Sequence, residues 1–335
     1  MLNNYRGKSV EVIFFTIAYI KNFSKYPYTE SSATGLMAGL DLGAYSDTPT
    51  EKSTEETPQE VVAAPKSQAI TPGTSDIDLR IPIGDVQREN TFCVIIANES
   101  YKAKDTPNVK YAAQDGKTFS KYCQSTLGLP KENIRFVTNA SYLQMRDLLK
   151  WMSEIGAEYG KDANFIVYYA GHGVPDEKGN CKLIPADVSI NAVDYGFSLK
   201  EFYSSLGNLT TNNVLVFIDA CFSGNDRGDV AALDEQHRGI VREVKNEVLS
   251  GNVVVLTAAS GTETALSYDE KGHGLFSYYL MKKLQETKGN VSFGELYDYV
   301  KKEVARKSIV VMSKKQTPSI SVSGRLMNNW KNLKL

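Results

Sequence analysis

From residue 90 onward the chain repeats one pattern, a short apolar run followed by a longer segment with helical spacing. The runs are 92–97 (FCVIIA), 133–138 (NIRFVT), 163–170 (ANFIVYYA), 213–219 (NVLVFID), 252–258 (NVVVLTA) and 319–322 (SISV). Runs with no polar break suit strands covered on both faces. The last follows Pro318, which fits an edge strand. Between them, residues 111–126 place Ala112, Phe119, Tyr122 and Cys123 on one face. Ser141 caps a helix reaching about residue 159, with Leu143, Leu148, Leu149, Trp151, Met152 and Ile155. Ser198 opens another, with Glu201 at the capping-box position, and residues 273–284 and 292–304 carry apolar stripes. A turn at 175–180 leads into a short hairpin strand at 181–185. The expected fold class is α/β: a mostly parallel six-stranded sheet with right-handed crossovers and helices on both faces.

The first eighty residues break this rhythm. Residues 10–20 (VEVIFFTIAYI) follow Arg6 and Lys8, so both a strand-like piece and a targeting element stay open. The run holds Glu11 and falls short of the roughly 20 residues of a membrane span. The expected organisation is a pro-segment or accessory piece at 1–44 and a flexible Pro/Thr/Ser/Glu-rich linker at 45–80. The main domain then occupies 81–328, with a tail at 329–335. Cytoplasmic and exported locations both remain open, without a transmembrane span.

A formal net charge of -1 gives no argument for nucleic acid or an anionic membrane as partner. The tyrosines do not interleave with a basic stripe. Cys93, Cys123, Cys181 and Cys221 are too irregularly spaced for a disulfide framework or a CxxC zinc site.

Candidate chemistry lies at two strand ends. Residues 163–170 run into Gly171-His172-Gly173, and 213–219 into Ala220-Cys221. Reactive groups of open α/β sheets sit beyond the carboxyl ends of the strands. A lone cysteine is more often a buried structural thiol, and a lone histidine in a turn is unremarkable. Taken jointly, the two form a nucleophile and base pair, His172 taking the proton of Cys221. The N–H groups of Gly173 and Cys221 are candidate oxyanion donors.

With YYAGHG followed by DACFSG, and a histidine about 50 residues before the cysteine, the chain resembles the caspase and metacaspase superfamily of cysteine peptidases. The resemblance extends over roughly residues 88–325, through the Gln114-Asp115 segment, GLFSYYL at 274–280, FGELYDYV at 293–300 and Gln316-Thr317-Pro318. It implies a caspase-like three-layer sandwich that hydrolyses peptide bonds with a His172–Cys221 dyad and no third member. Unlike caspases, the chain has Phe222, Ser223 and Gly224 after the nucleophile, which brings it nearer the metacaspase-like branch. In that branch, aspartates matching Asp115 and Asp219 line an acidic S1 pocket, implying cleavage after Arg or Lys in peptide or protein substrates.

The resemblance bears on metals and processing too. No cofactor is required. A calcium site would draw on Asp187, Asp226 and Asp229, but Ser198 and Leu199 stand where two further acidic ligands are expected, so the set is incomplete. Candidate self-cleavage sites are Lys66, Arg80 and Arg88 before the domain, and Arg227, Arg238, Arg242 and Lys245 in the polar stretch 225–246. Loops are commonly basic without being cut. His237 and His273 read as structural, although 272–274 repeats Gly-His-Gly. Self-association stays open. So do two rival readings: a peptidase of other P1 specificity, and a catalytically silent binding module. A phosphate-binding α/β protein would want a glycine-rich loop, and 98–105 has no glycine.

Overall fold

The chain divides into two units, Met1–Ser67 and Gln68–Leu335. The computed structural model describes residues 75–222, 247–261 and 263–335, all within the second. In chain order the main elements are α1 (Asp76–Leu79), β1 (Thr91–Ala97), α2 (Ala112–Lys121), β2 (Ile134–Thr138), α3 (Tyr142–Tyr159) and β3 (Asn164–Ala170). Then come β4 (Gly173–Pro175), β5 (Cys181–Leu183), β6 (Phe197–Ser198), α4 (Leu199–Gly207), β7 (Asn213–Asp219) and β8 (Val253–Thr257). The last are β9 (Ser267–Tyr268), β10 (His273–Gly274), α5 (Leu275–Thr287), α6 (Phe293–Val310) and β11 (Ser319–Val322).

Six strands form the central sheet in the order β11-β8-β7-β3-β1-β2. Every neighbouring pair is parallel except β11 with β8, so the Pro318 run is indeed an antiparallel edge. Side chains of successive strand residues point to opposite faces, and here each face is buried. Cys93, Ile95, Ile166, Tyr168, Leu215 and Phe217 join the core shared with α2, α5 and α6. Phe92, Val94, Phe165, Val167, Val214 and Val216 join the core shared with α3 and α4. That is a three-layer α/β sandwich, and it explains why β1, β3 and β7 read as unbroken apolar runs.

Helix starts follow the expected chemistry with one departure. Ser141 and Gln144 make a reciprocal capping box on α3. Ser198 accepts from the Glu201 amide at α4, but the return bond that would complete the box does not form. On α3 the buried residues are Met145, Leu148, Met152 and Gly156, whereas Leu143, expected in the stripe, is exposed. Helix α5 begins two residues later than expected, because His273 and Gly274 pair with β9 instead.

Both ends of the domain extend beyond the expected limits. Residues 75–80 are not linker: Ile77 is buried, and Asp76 bonds Lys271, Lys282 and Tyr278. Nor is 329–335 a loose tail. Trp330 packs on Phe293, Lys334 bridges to Ser292, and Leu335 is buried in the core. Among the described residues no helix is long and apolar enough to cross a membrane.

Candidate active site

Strands β3 and β7 are paired in parallel with Ala170 opposite Asp219. His172 and Cys221 each lie two residues beyond that pair, at the same level of the sheet's carboxyl edge. Their loops are in direct contact. A Cβ on Gly173 would sit 2.6 Å from the Phe222 ring and 3.0 Å from the Cys221 carbonyl oxygen, so only glycine fits there. The backbone of one candidate oxyanion donor thus runs against the residue that supplies the other.

His172 is buried, and a backbone carbonyl and a tyrosine ring help to orient it. Its Nε2 lies 2.7 Å from the carbonyl oxygen of Pro107. A carbonyl only accepts, so Nε2 carries the proton and Nδ1 is the basic nitrogen of the neutral ring. The ring packs on Tyr101 at 4.8 Å between centroids, and the Tyr101 hydroxyl accepts from the His172 amide at 3.0 Å. Pro107 enters the site through its backbone, so no side-chain motif could have announced it.

Cys221 is held by the segment after β8. The Ala265 amide donates to Sγ at 2.9 Å, and the thiol lies 3.7 Å from the Ala265 carbonyl. An N–H directed at sulfur favours the thiolate. Cys221 is itself buried.

The two candidate S1 carboxylates are fully buried, and each accepts a hydrogen bond near the start of α5. Asp115 accepts from the Gly274 amide at 3.0 Å, and Asp219 from the Ser277 hydroxyl at 2.6 Å. Ser277 also bonds Tyr168. Asp115 reaches this place because α2 packs tightly on the sheet: a Cβ on Gly116 would lie 2.7 Å from Ala97 and 2.9 Å from Phe136.

One partner of Asp115 was unforeseen. His273, read from sequence as merely structural, is buried between two carboxylates, with Nδ1 2.7 Å from Asp115 and Nε2 3.1 Å from Asp78. Burial disfavours the charged ring, but the hydrogen bonds to Asp115 and Asp78 outweigh it and lift its pKa from 6.5 to about 9. Burial likewise works against the Asp78 charge, and the bond from His273 pulls its pKa down overall. The sequence signal was the Asp-Ile-Asp at 76–78, hidden because those residues looked like linker.

The other candidates scatter. Asp187 accepts from the Tyr142 amide at the start of α3, while Asp226 and Asp229 lie outside the described residues. Among the described residues no group of three or more His, Cys, Asp or Glu is arranged to hold a metal. Arg80 is exposed beside α1. Arg88 is poorly placed for cleavage, since its guanidinium donates to Leu127 at 2.6 Å and its amide to Gly128 at 2.9 Å. Lys66, Arg227, Arg238, Arg242 and Lys245 fall outside the described residues, as does His237.

Two solved structures are similar to this chain. A crystal structure of a Geobacter sulfurreducens protein matches with a TM-score of 0.53 at 15% identity, covering 73% of this chain and 97% of that one. Caspase-1 from Spodoptera frugiperda matches with a TM-score of 0.46 at 17% identity, covering 78% of this chain and 94% of its own. A comparison with the curated proteins finds no match. The family model for the caspase domain, Peptidase C14, matches residues 90–327. The chain therefore belongs to the caspase-domain family of cysteine peptidases, C14.

Proposed function

We propose that the protein is a cysteine endopeptidase of the metacaspase-like kind, cutting peptide bonds after Arg or Lys. The observation that carries this is the β3–β7 register, which brings the His172 and Cys221 loops side by side at the carboxyl edge. The Cys221 thiolate attacks the scissile carbonyl, and the N–H groups of Gly173 and Cys221 receive the oxyanion. His172 gives the proton it has taken from the thiol to the leaving amine, and water then hydrolyses the thioester. Pro107 fixes the tautomer, the orienting task that a carboxylate performs in other triads.

A guanidinium or ammonium at P1 is attracted to Asp219 and Asp115, and a guanidinium can pair with a carboxylate through two N–H bonds. Asp115, Asp219 and Cys221 are all buried, so substrate entry requires the Ala265 segment that contacts the thiol to move aside. Arg80 and the basic residues of 225–246 are substrates of the same chemistry in self-processing.

The test compares wild type with Cys221→Ala on fluorogenic peptides ending in Arg, Lys or Asp, while intact mass is followed. The expected result is turnover after Arg and Lys, and self-cleavage, in wild type alone. Cys221-dependent turnover after Asp would overturn the acidic pocket. No turnover, even after removal of the residues before 75, would leave a silent binding module.

A further inference from the structure

Asp78, His273 and Asp115 form one hydrogen-bonded group, and its role rests on the reading of Asp115 as part of the P1 pocket. We propose that His273 is a specificity-determining residue of that pocket, an imidazolium counter-charge that weakens its hold on a basic P1 side chain.

Ionised carboxylates only accept, and His273 faces one through each ring nitrogen, at 2.7 Å and 3.1 Å. Two acceptors require two donors, so the ring carries both protons and a positive charge. Asp78 and Asp115 act on it directly, and further charged and titratable groups lie on the same packed elements. Asp76 and Asp78 come from α1; Asp115 comes from α2, and Tyr122 from the π-turn beyond it. Lys271 precedes His273, and Tyr278 and Lys282 lie on α5. Burial raises both tyrosines well out of the neutral range, so they stay uncharged.

An arginyl side chain bound to Asp115 would meet this imidazolium as a like charge. By linkage, the substrate then binds more tightly to the neutral ring. When the ring loses one proton, the other remains on Nδ1, where the acceptor is nearer and more deeply buried. Asp115 therefore keeps its donor while the counter-charge disappears. Asp78, on the far side of the ring, serves to retain the proton. A residue of the segment before the family domain thereby tunes the pocket.

The experiment measures KM and kcat of the full chain for an arginyl peptide between pH 7 and 10, where the guanidinium stays charged. In wild type KM should fall about tenfold as His273 loses its proton, with kcat following a different profile. In His273→Asn, whose amide keeps a donor toward Asp115, KM should be low at pH 7 and flat. In Asp78→Asn the fall should move to lower pH. A wild-type KM that is flat or rising would overturn the proposal, as would a His273→Asn KM at pH 7 no lower than wild type. Should His273→Asn fail to fold, wild type and Asp78→Asn decide. Asp115→Asn separates the two claims. If it leaves the arginyl KM unchanged, the pocket reading fails and takes this one with it. If it raises KM while the wild-type profile is flat, only the role of His273 fails.

Discussion

The chain spells Gly-His-Gly twice, at 171–173 and 272–274, and the fold treats the two histidines in opposite ways. His172 ends a central strand and meets a backbone carbonyl and a tyrosine ring. His273 precedes a helix and is clamped between Asp115 and Asp78. The first meets a backbone carbonyl through Nε2 and a tyrosine ring through its face. The second is held by charge, which fixes its proton across the neutral range. Identity of the tripeptide decides neither outcome; what the topology brings to each ring does.

The sharpest way to break this contrast is to remove each ring. His172→Ala should lower kcat/KM for an arginyl peptide by roughly a thousandfold or more, since general acid–base catalysis contributes about 10²–10⁴. Its cost in stability should be the smaller of the two, about 1–2 kcal/mol for the lost bond to Pro107 and the ring contact. His273→Ala should leave the chemistry and lower stability by about 3–5 kcal/mol, because the buried Asp115 and the half-buried Asp78 lose their counter-charge. The folded fraction should still turn over substrate. Denaturant titrations beside initial rates read both. If loss of His273 abolished chemistry in folded protein while loss of His172 did not, the assignment of the two rings would have to be exchanged.

A gentler probe changes pH and leaves the sequence intact. The folded pKa of His273 is raised, from 6.5 to about 9. Its stabilisation is therefore fully present below about 6.5 and is lost as pH climbs through 9. The contribution is on the order of 3 kcal/mol, from the size of that shift. Urea midpoints should fall between pH 6.5 and 10 in wild type and much less in His273→Asn. An equal fall in both would assign the loss to other groups.

How much of this was legible beforehand follows from the range of the interactions. Strand runs, capping serines and the neighbouring placement of the His172 and Cys221 loops depend on local pattern or on strand order, and both are written in the spacing of apolar runs. The Pro107 carbonyl has no side-chain signature. Asp78 lies in a segment whose neighbours look like linker, and nothing local to 76–78 reveals a partner at 273. The tail 329–335 carries Trp330 and Leu335, but their burial depends on where α6 ends up. Long-range pairing through one or two residues was the part that could not be read.

The smallest expected effect tests how loosely His172 is held. The Tyr101 hydroxyl accepts from the His172 amide at 3.0 Å and donates to the Asn98 carbonyl at 3.3 Å, while its ring packs against the imidazole. Tyr101→Phe keeps the ring and removes the hydroxyl, which leaves the partly buried His172 amide without that acceptor and ends the contact with the buried Tyr169 hydroxyl. The loss should be about 1 kcal/mol of stability. Because Pro107 still fixes the tautomer, kcat for an arginyl peptide should drop only a few-fold, with the pH profile of kcat unmoved. A loss near that of His172→Ala would mean that the hydroxyl sets the ring's position. The first histidine would then be as tightly built in as the second, through a neutral bond in place of two charges.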